Sequence, residues 1–294
     1  MPIDVSTLTP YRSVISDNRR FARFDPRPDD VYVCTPPKCG TAWTQTIVHS
    51  LMLPHGDGPL PVMTVAPWLE AQFNPLDETL ERLAAQTHRR QIKTHTPADG
   101  IPFLADAKYI FVARDGRDAF MSWCNHRSNM KRDMVGALNE RAMADGIPPM
   151  PQWDGDVHGF FTQWLAEAMM LRHVKSYWLR RDATNLMLLH YNDLKSDLAG
   201  EMRRVADFLE IRVPEARWPE LVERCGFESM RARADEVGTF HLFEGGSQSF
   251  LFKGTNGRWR DVLSADELAR YAKRVAEILP AEAAAWLERG KEAL

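Results

Sequence analysis

A lysine, a glycine and a threonine stand together where a short apolar run gives way to a helical pattern near the start of the chain. Residues 31–43 read Val-Tyr-Val-Cys-Thr-Pro-Pro-Lys-Cys-Gly-Thr-Ala-Trp, so a predicted strand breaks at two prolines before Lys38, Gly40 and Thr41. Free backbone N–H groups and the positive end of a helix dipole attract phosphate-like charge, and glycine lets the backbone come close to it. The pattern predicts an anion site to which Lys38 adds a full charge. The alternative is a strand-loop-helix corner whose lysine points into water.

A second segment ends a predicted strand in arginine. Residues 108–122 run from the apolar stretch Tyr-Ile-Phe-Val-Ala through Arg114 and a glycine turn into a helix that carries Ser122. Ligands of α/β sheets lie beyond the carboxyl ends of the strands, so Arg114 is expected on the same edge as Lys38. A guanidinium offers a fork of donors to phosphate oxygens, and a serine hydroxyl completes the set. The alternative pairs Arg114 with a neighbouring aspartate on the surface.

A third segment, Gln-Ile-Lys-Thr-His-Thr-Pro at residues 91–97, places Lys93 and His95 at the end of another predicted strand. A neutral histidine there is suited to accept a proton, because its ordinary pKa lies near 6.5 and nearby cations favour the neutral form. A lone histidine is more often structural. The catalytic interpretation of His95 therefore depends on its meeting the first loop in space.

A fourth segment is a basic loop interrupted by glycines. Residues 250–259 read Phe-Leu-Phe-Lys-Gly-Thr-Asn-Gly-Arg-Trp, with Lys253 and two glycines in a short stretch. The alternative is an ordinary surface turn.

The composition is that of an ordinary globular protein. The chain has 294 residues, 44% of them hydrophobic, and a formal net charge of −3, which argues against a nucleic-acid-binding protein. The first residues lack the features of a signal peptide and no run of eighteen apolar residues occurs, so we expect a cytoplasmic protein that does not associate with membranes.

Cysteine and histidine spacing gives no indication of a metal site. The four cysteines form no Cys-x-x-Cys pair and the nine histidines no His-Glu-x-x-His pair. We therefore expect reduced thiols and no dedicated metal.

The elements that position these segments alternate between strand and helix, which predicts an α/β fold of one domain over residues 1–294, with a mostly parallel sheet flanked by helices. Strands are predicted at 31–34, 90–93, 109–113 and 186–190. Helices are predicted at 41–53, 77–88, 116–127, 160–180, 193–209, 265–279 and 281–293. Residues 129–158, rich in Met, Pro, Gly and charge, are predicted to form a long loop or lid. Core-facing side chains are expected within 160–180: Trp164, Leu165, Met169, Leu171 and Trp178.

Together, the four segments resemble the cytosolic-type sulfotransferases, which use 3′-phosphoadenosine 5′-phosphosulfate (PAPS) and have a P-loop-like fold. Residues 35–43 resemble their 5′-phosphosulfate loop, Tyr-Pro-Lys-Ser-Gly-Thr-Thr-Trp. Residues 112–122 resemble their 3′-phosphate motif, and residues 253–259 their Lys-Gly-x-x-Gly-x-Trp signature. The order and spacing match from residue 27 to Trp259, which covers nearly the whole chain.

The resemblance implies a role for each matching position. His95 would be the catalytic base, aided by Lys38 and Lys93. The 5′-phosphosulfate would be surrounded by Lys38, Cys39, Gly40, Thr41, Ala42 and Trp43. The 3′-phosphate would be held by Arg114, Ser122, Lys253 and Gly254. The adenine would lie beside Trp43, Tyr191, Cys225 and Phe227.

The resemblance also has departures. The family usually has arginine before the Lys-Gly pair, and Phe252 stands there, so one 3′-phosphate ligand is lost or replaced. Cys39 takes a usual serine position, although its backbone N–H remains. The family's dimer motif is reduced to Arg260, Ser264, Ala265 and Ala269, so the oligomeric state stays open.

The acceptor is expected to be a small molecule with a hydroxyl group. Phe24, Trp68 and Phe73 fall near segments that line the acceptor pocket in relatives, and their apolar character favours a lipophilic phenol or alcohol. For any one of them a purely structural role is an equal alternative.

Two other functions stay open at this point. One is a non-catalytic nucleotide-binding or regulatory protein, which Phe252 allows and retention of Lys93 and His95 opposes. The other is a phosphotransferase, although the chain lacks a Gly-x-x-x-x-Gly-Lys-Ser/Thr motif.

Overall fold

A parallel sheet lies at the centre of the protein, which we describe from a computed structural model for residues 3–53, 61–238 and 243–293. Its strands are β1 (Val31–Cys34), β2 (Gln91–Thr94), β3 (Lys108–Ala113) and β4 (Leu186–His190). They run in the order β2-β1-β3-β4, and every neighbouring pair is parallel. Because helices cover both faces, β1, β3 and β4 are nearly continuous apolar runs rather than alternating ones. The predicted fold class is confirmed.

Helices connect the strands and surround the sheet. In chain order they are α1 (Thr41–Met52), α2 (Val62–Val65), α3 (Leu76–Ala84), α4 (Gly116–Ser128), α5 (Arg132–Ala144), α6 (Val157–Glu167), α7 (Met169–Trp178), α8 (Tyr191–Ser196), α9 (Leu198–Phe208), α10 (Trp218–Cys225), α11 (Phe227–Ala232), α12 (Ala234–Val237), α13 (Gly246–Phe250), α14 (Ala265–Ile278) and α15 (Ala281–Arg289). None of the helices in the described ranges combines the length and apolar character needed to cross a bilayer.

The two faces of the sheet belong to two separate hydrophobic clusters. Tyr32 and Cys34 of β1 point into a cluster with α7 and α15, whereas Val31 and Val33 point into one with α1, α9 and α10. Successive side chains of a strand project to opposite faces, so one short strand serves both clusters. This packing fixes β1, and with it the position at which the loop before α1 starts.

The longest predicted helices are each divided in two. Ala168 adopts left-handed backbone with φ of 50° between α6 and α7, and this break turns Met169 outward, where it is 45% exposed. The core-facing expectation for Met169 is therefore wrong, while Leu171 and Trp178 are buried as expected. Asp197 separates α8 from α9 because its side chain accepts a hydrogen bond from Gly200 N–H and starts a new helix.

The prediction of a long loop at 129–158 is wrong in its first half. Helix α5 occupies residues 132–144, and its buried residues Val135, Leu138 and Ala142 recur at helical spacing. Leu138 and Ala142 pack against Val14 and Ile147. The many Met and charged residues of this segment obscure a narrow apolar stripe that becomes visible only when its packing partner is known.

A buried ion pair closes the sheet at its amino end. Arg90 donates to both carboxylate oxygens of Asp30, at 2.7 and 2.6 Å, and to the Asp25 carbonyl at 2.9 Å. The side chains of Arg90 and Asp30 are 3% and 0% exposed. The guanidinium also lies 5.0 Å above the ring of Phe24.

Candidate active site

The loop between β1 and α1 holds two residues in left-handed backbone. Lys38 has φ of 71° and Gly40 has φ of 98°, a conformation that strains lysine and is free for glycine. A Cβ atom at Gly40 would lie 2.9 Å from Cδ2 of Tyr191. Glycine is therefore required here by the backbone angle and by the neighbouring ring, and α1 begins at the next residue, Thr41.

His95 follows β2 and is held by the same loop. Its Nδ1 lies 2.7 Å from the carbonyl oxygen of Thr35 and 3.2 Å from the hydroxyl of that residue. Only an N–H can donate to a carbonyl oxygen, so the proton of the neutral ring is on Nδ1 and the lone pair is on Nε2. Burial, with the charge of Lys93 second, holds the pKa of His95 well below its usual value. The ring is therefore neutral at physiological pH.

Lys38 and Lys93 bring two cations to this histidine. Burial lowers the pKa of Lys38 to about 7, with further contributions from Lys93 and Arg114. Burial also lowers the pKa of Lys93 to about 8. The Lys93 ammonium lies 4.9 Å from the ring centre of Trp68. Within residues 3–53, 61–238 and 243–293, neither lysine has a carboxylate at ion-pair distance.

Glu70 is the buried carboxyl group that influences Lys93 from a distance. It accepts hydrogen bonds from the hydroxyls of Thr94 and Thr96, and burial raises its pKa. Its charge only partly offsets the effect of burial on Lys93. Glu70 therefore supports the end of β2 without neutralising the lysine.

His126 joins the site although no sequence pattern pointed to it. Its Nδ1 lies 3.3 Å from the side-chain nitrogen of Lys38. When Lys38 is charged, its ammonium can only donate, so Nδ1 accepts. The ring stacks on Trp123 at 4.9 Å. Burial, with Lys38 second, holds the pKa of His126 well below its usual value. The available signal was its place on α4, four residues after Ser122 and hence on the same helix face.

Arg114 marks the other end of the site. Its Nη2 donates to the Thr255 carbonyl at 3.0 Å and to the Asn256 side chain at 2.7 Å. Its Nε is buried, with no hydrogen-bond partner in the described parts of the chain. Its guanidinium lies 4.2 Å above the ring of Tyr191. Among those described residues Arg114 forms no ion pair, since Asp115 pairs with Arg117 instead, and the surface-pair alternative for Arg114 is set aside.

The turn at Lys253 and Gly254 is held in place by neighbouring side chains. Gly254 has φ of 62°, and a Cβ atom there would lie 2.7 Å from Cε2 of Phe227. The Gly254 carbonyl accepts a hydrogen bond from the Lys195 ammonium at 3.0 Å and from the Tyr191 hydroxyl at 3.5 Å. The backbone of this turn is thereby placed directly over two aromatic rings.

Most of the predicted donor and catalytic residues line one cavity. They are Lys38, Gly40, Thr41, Ala42, Trp43, Lys93, His95, Arg114, Ser122, Tyr191, Phe227, Lys253 and Gly254. The four segments are far apart in sequence. Three of them meet because β1, β2 and β3 end at the same edge of the sheet, and the fourth is held there by hydrogen bonds to Arg114 and Asp118. Their convergence favours a ligand site over four unrelated surface loops.

The two predicted cysteines do not line this cavity. The Cys39 side chain is fully buried in the cluster on one sheet face, so only its backbone belongs to the loop. Cys225 is also fully buried, and its carbonyl accepts a hydrogen bond of 2.8 Å from the indole N–H of Trp43. All four cysteines are free thiols, and no cluster suited to a metal occurs in the described residues.

The three predicted acceptor residues lie behind the cavity rather than in its lining. Phe24 is 2% exposed and packs beneath Arg90. Trp68 sets its ring edge-to-face with His95 at 4.8 Å, and Phe73 packs against Trp68 at 5.9 Å. Trp68 therefore packs against His95 from outside the cavity. Besides the predicted rings of Trp43, Tyr191 and Phe227, the apolar lining includes residues that were not predicted: Ile15, Met63, Met121, Trp123, Met230, Phe250 and Leu251.

Comparisons with known proteins agree with this geometry. The Sulfotransferase domain family model matches residues 28–284. A glycolipid sulfotransferase of Mycobacterium bovis is 32% identical, over 96% of this chain and 94% of the relative. Human sulfotransferase 1C2 is 25% identical, over 84% of this chain and 82% of the relative.

A solved structure shares the fold at lower identity. Mouse sulfotransferase SULT7A1, crystallised with 3′-phosphoadenosine 5′-phosphate (PAP), superposes with a TM-score of 0.68 and 18% identity. The match covers 88% of this chain and 86% of the mouse chain.

Proposed function

The chain belongs to the sulfotransferase domain family, and we propose that it transfers a sulfuryl group from PAPS to the hydroxyl of a lipophilic acceptor, with His95 as general base. One observation carries the proposal. Lys38, Lys93 and Arg114 surround a single cavity without a carboxylate partner in the described parts of the chain, and the free Nε2 of His95 lies among them. Buried cations without an anionic partner are costly unless a ligand supplies the anion.

The cavity fits a nucleotide with anionic groups at both ends. Lys38 and the first-turn N–H groups of α1 suit the 5′-phosphosulfate, and the unpaired Nε of Arg114, with Ser122, suits the 3′-phosphate. Between these ends the rings of Trp43, Tyr191 and Phe227 line the cavity, and aromatic faces of this kind stack on a base. Cys39 and Cys225 contribute their backbones only.

The reaction follows from the protonation states. PAPS supplies the sulfuryl group. His95 accepts the acceptor's hydroxyl proton on Nε2, since Nδ1 is committed to the Thr35 carbonyl. Lys38 and Lys93 stabilise the negative charge that grows on the departing phosphate. His126 and Trp68 hold Lys38 and His95 in place from either side.

The rest of the cavity lining supports a class of acceptor. Methionine and aromatic side chains line it beside the histidine, including Met63, Met121 and Phe250, and such walls bind apolar molecules. A named relative acts on glycolipids. We therefore place phenols, alcohols and glycolipid hydroxyls ahead of bare sugars as acceptors.

A transfer assay tests this function. Radiolabelled PAPS is incubated with the protein and a panel of phenols, long-chain alcohols, a glycolipid and a free sugar. The expected result is labelled product from at least one lipophilic acceptor and none from the free sugar. Tight PAP binding without transfer to any member of the panel would favour the binding-only alternative, and phosphate transfer from ATP would favour the phosphotransferase.

A further inference from the structure

The turn after Lys253 is anchored to α4 by its backbone. The Gly257 N–H donates to Oδ1 of Asp118 at 2.6 Å, and Gly257 has φ of 81°. The side chain of Asn256 is held by Asn192 and by Arg114. The direction in which the chain leaves Gly257, and therefore the position of Arg258, is fixed against the wall that carries Ser122.

Arg258 is a cation of the cavity that the sequence motifs did not assign. It is half-buried and lines the cavity that also contains Arg114, Ser122 and Lys253. It makes no hydrogen bond or ion pair with any residue that the structure describes. Arg260, two residues on, is exposed, stacks on Trp259 at 4.5 Å and is not part of the lining. A guanidinium that reaches a cavity without a partner has all of its donors available there.

Phe252 gives this guanidinium a surface to lie on. The Cζ atom of Arg258 lies 5.2 Å and the Lys253 ammonium 5.1 Å from the centre of the Phe252 ring. A cation over an aromatic face is held at little cost to its hydrogen-bonding edge. The ring therefore orients Arg258 and Lys253 at the same end of the cavity.

We propose that Arg258 replaces the arginine that the family has at position 252, and that it binds the 3′-phosphate of the nucleotide together with Arg114 and Ser122. This inference rests on the proposed function, since it presumes a 3′-phosphorylated nucleotide. The positive charge of the Arg-Lys pair is kept, but the arginine comes from the other side of the Gly254–Gly257 turn. A guanidinium fork on a phosphate gives short, charge-assisted hydrogen bonds, and these are specific for the phosphate.

Calorimetric titration of two ligands tests Arg258. PAP carries the 3′-phosphate and adenosine 5′-monophosphate lacks it, so the ratio of their affinities measures recognition of that group alone. We expect Arg258→Gln to lower PAP affinity on the order of tenfold to a hundredfold and to leave the affinity for the monophosphate unchanged. Arg260→Gln is the matched control, because it removes a neighbouring arginine outside the cavity and should leave both affinities at the wild-type value.

A compensating variant separates the phosphate contact from a general disturbance. Adding Phe252→Arg to Arg258→Gln should recover much of the lost preference for PAP. A wild-type ratio in Arg258→Gln, equal loss of both ligands, or no recovery in the folded double variant would overturn the inference and leave the proposed function standing. A wild-type protein that does not prefer PAP over the monophosphate would overturn both.

Discussion

Two parts of the molecule bury cations, and they treat the charge differently. At the amino end of the sheet, Arg90 donates to both oxygens of Asp30 and to a carbonyl, so its charge and its donors are satisfied. At the carboxyl end, the side-chain nitrogen of Lys38 lies beside Nδ1 of His126 and over an aromatic ring, and that of Lys93 lies over another ring. No described carboxylate pairs with either lysine. The first arrangement stabilises the fold, and we propose that the second is completed by an anionic ligand.

The pKa values reflect this difference. Burial lowers the pKa of Lys38 to about 7 and that of Lys93 to about 8, because nothing nearby compensates the charge fully. An anion in the cavity would raise both values. Variants at the amino and carboxyl ends of the sheet should therefore differ in catalysis, in stability and in the pH dependence of binding.

The largest effect is expected when the base is removed from the unpaired end. His95→Ala should lower sulfuryl transfer by about 10²–10⁴-fold, since this is the usual contribution of a general base. PAP affinity should change little, because the proposed role of His95 is to deprotonate the acceptor and not to hold the nucleotide. Steady-state turnover and PAP titration on the same preparation measure both quantities.

His173 provides the matched control for His95. It is a second buried histidine, whose pKa burial lowers to about 3, but in the core it stacks on Tyr177 and packs at a tilt against Phe111. His173→Gln should lower stability and leave turnover per folded molecule close to wild type. Near-normal transfer in His95→Ala would contradict the role of His95 as base.

Smaller effects are expected in stability, and they should have opposite signs at the two ends of the sheet. Asp30→Ala leaves Arg90 buried and unpaired, so the free energy of unfolding should fall by about 3–5 kcal/mol. Lys38→Met removes a cation that has no carboxylate partner among the described residues, so that free energy should stay the same or rise. Urea unfolding of the two variants beside wild type checks the signs.

The pH dependence of the free energy of unfolding tests the Lys38 part of this comparison separately. The folded-state pKa of Lys38 is lowered, so between pH about 7 and the ordinary lysine pKa near 10.4 the unfolded chain binds more protons than the folded one. The contribution of Lys38 to the free energy of unfolding therefore rises with pH across that window. Lys38→Met should reduce this rise, and an unchanged slope would mean that Lys38 is fully charged in the folded protein.

The sheet edge could be predicted from sequence because local patterns determine it. Fully apolar runs predict strands buried on both faces, and β1 and β4 lie at the predicted positions. Lysine, arginine and histidine at three strand ends predicted that these side chains would meet. Their meeting depends on parallel strand order, which the strand-helix alternation already implies.

The remaining features depend on contacts between distant segments. His126 belongs to no motif, and only the fold brings it to Lys38. Phe24 was expected to face the acceptor, but its ring packs beneath the Arg90 guanidinium in a cation–π contact. Trp68 packs edge-to-face against His95, and the Cys225 carbonyl accepts a hydrogen bond from Trp43. Residue types predict which groups can do chemistry, and packing decides which of them reach the cavity.

The most direct test of the central claim is whether PAP binding takes up protons at the unpaired lysines. Calorimetry above pH 7, where phosphate groups are already dianionic, is carried out in buffers of different ionisation enthalpy. We expect proton uptake on binding, with PAP affinity falling by up to about tenfold per pH unit as Lys38 loses its charge. Lys38→Arg should reduce both effects, since arginine keeps its charge. Binding heats that do not depend on the buffer, with affinity constant from pH about 7 to about 9, would contradict the account.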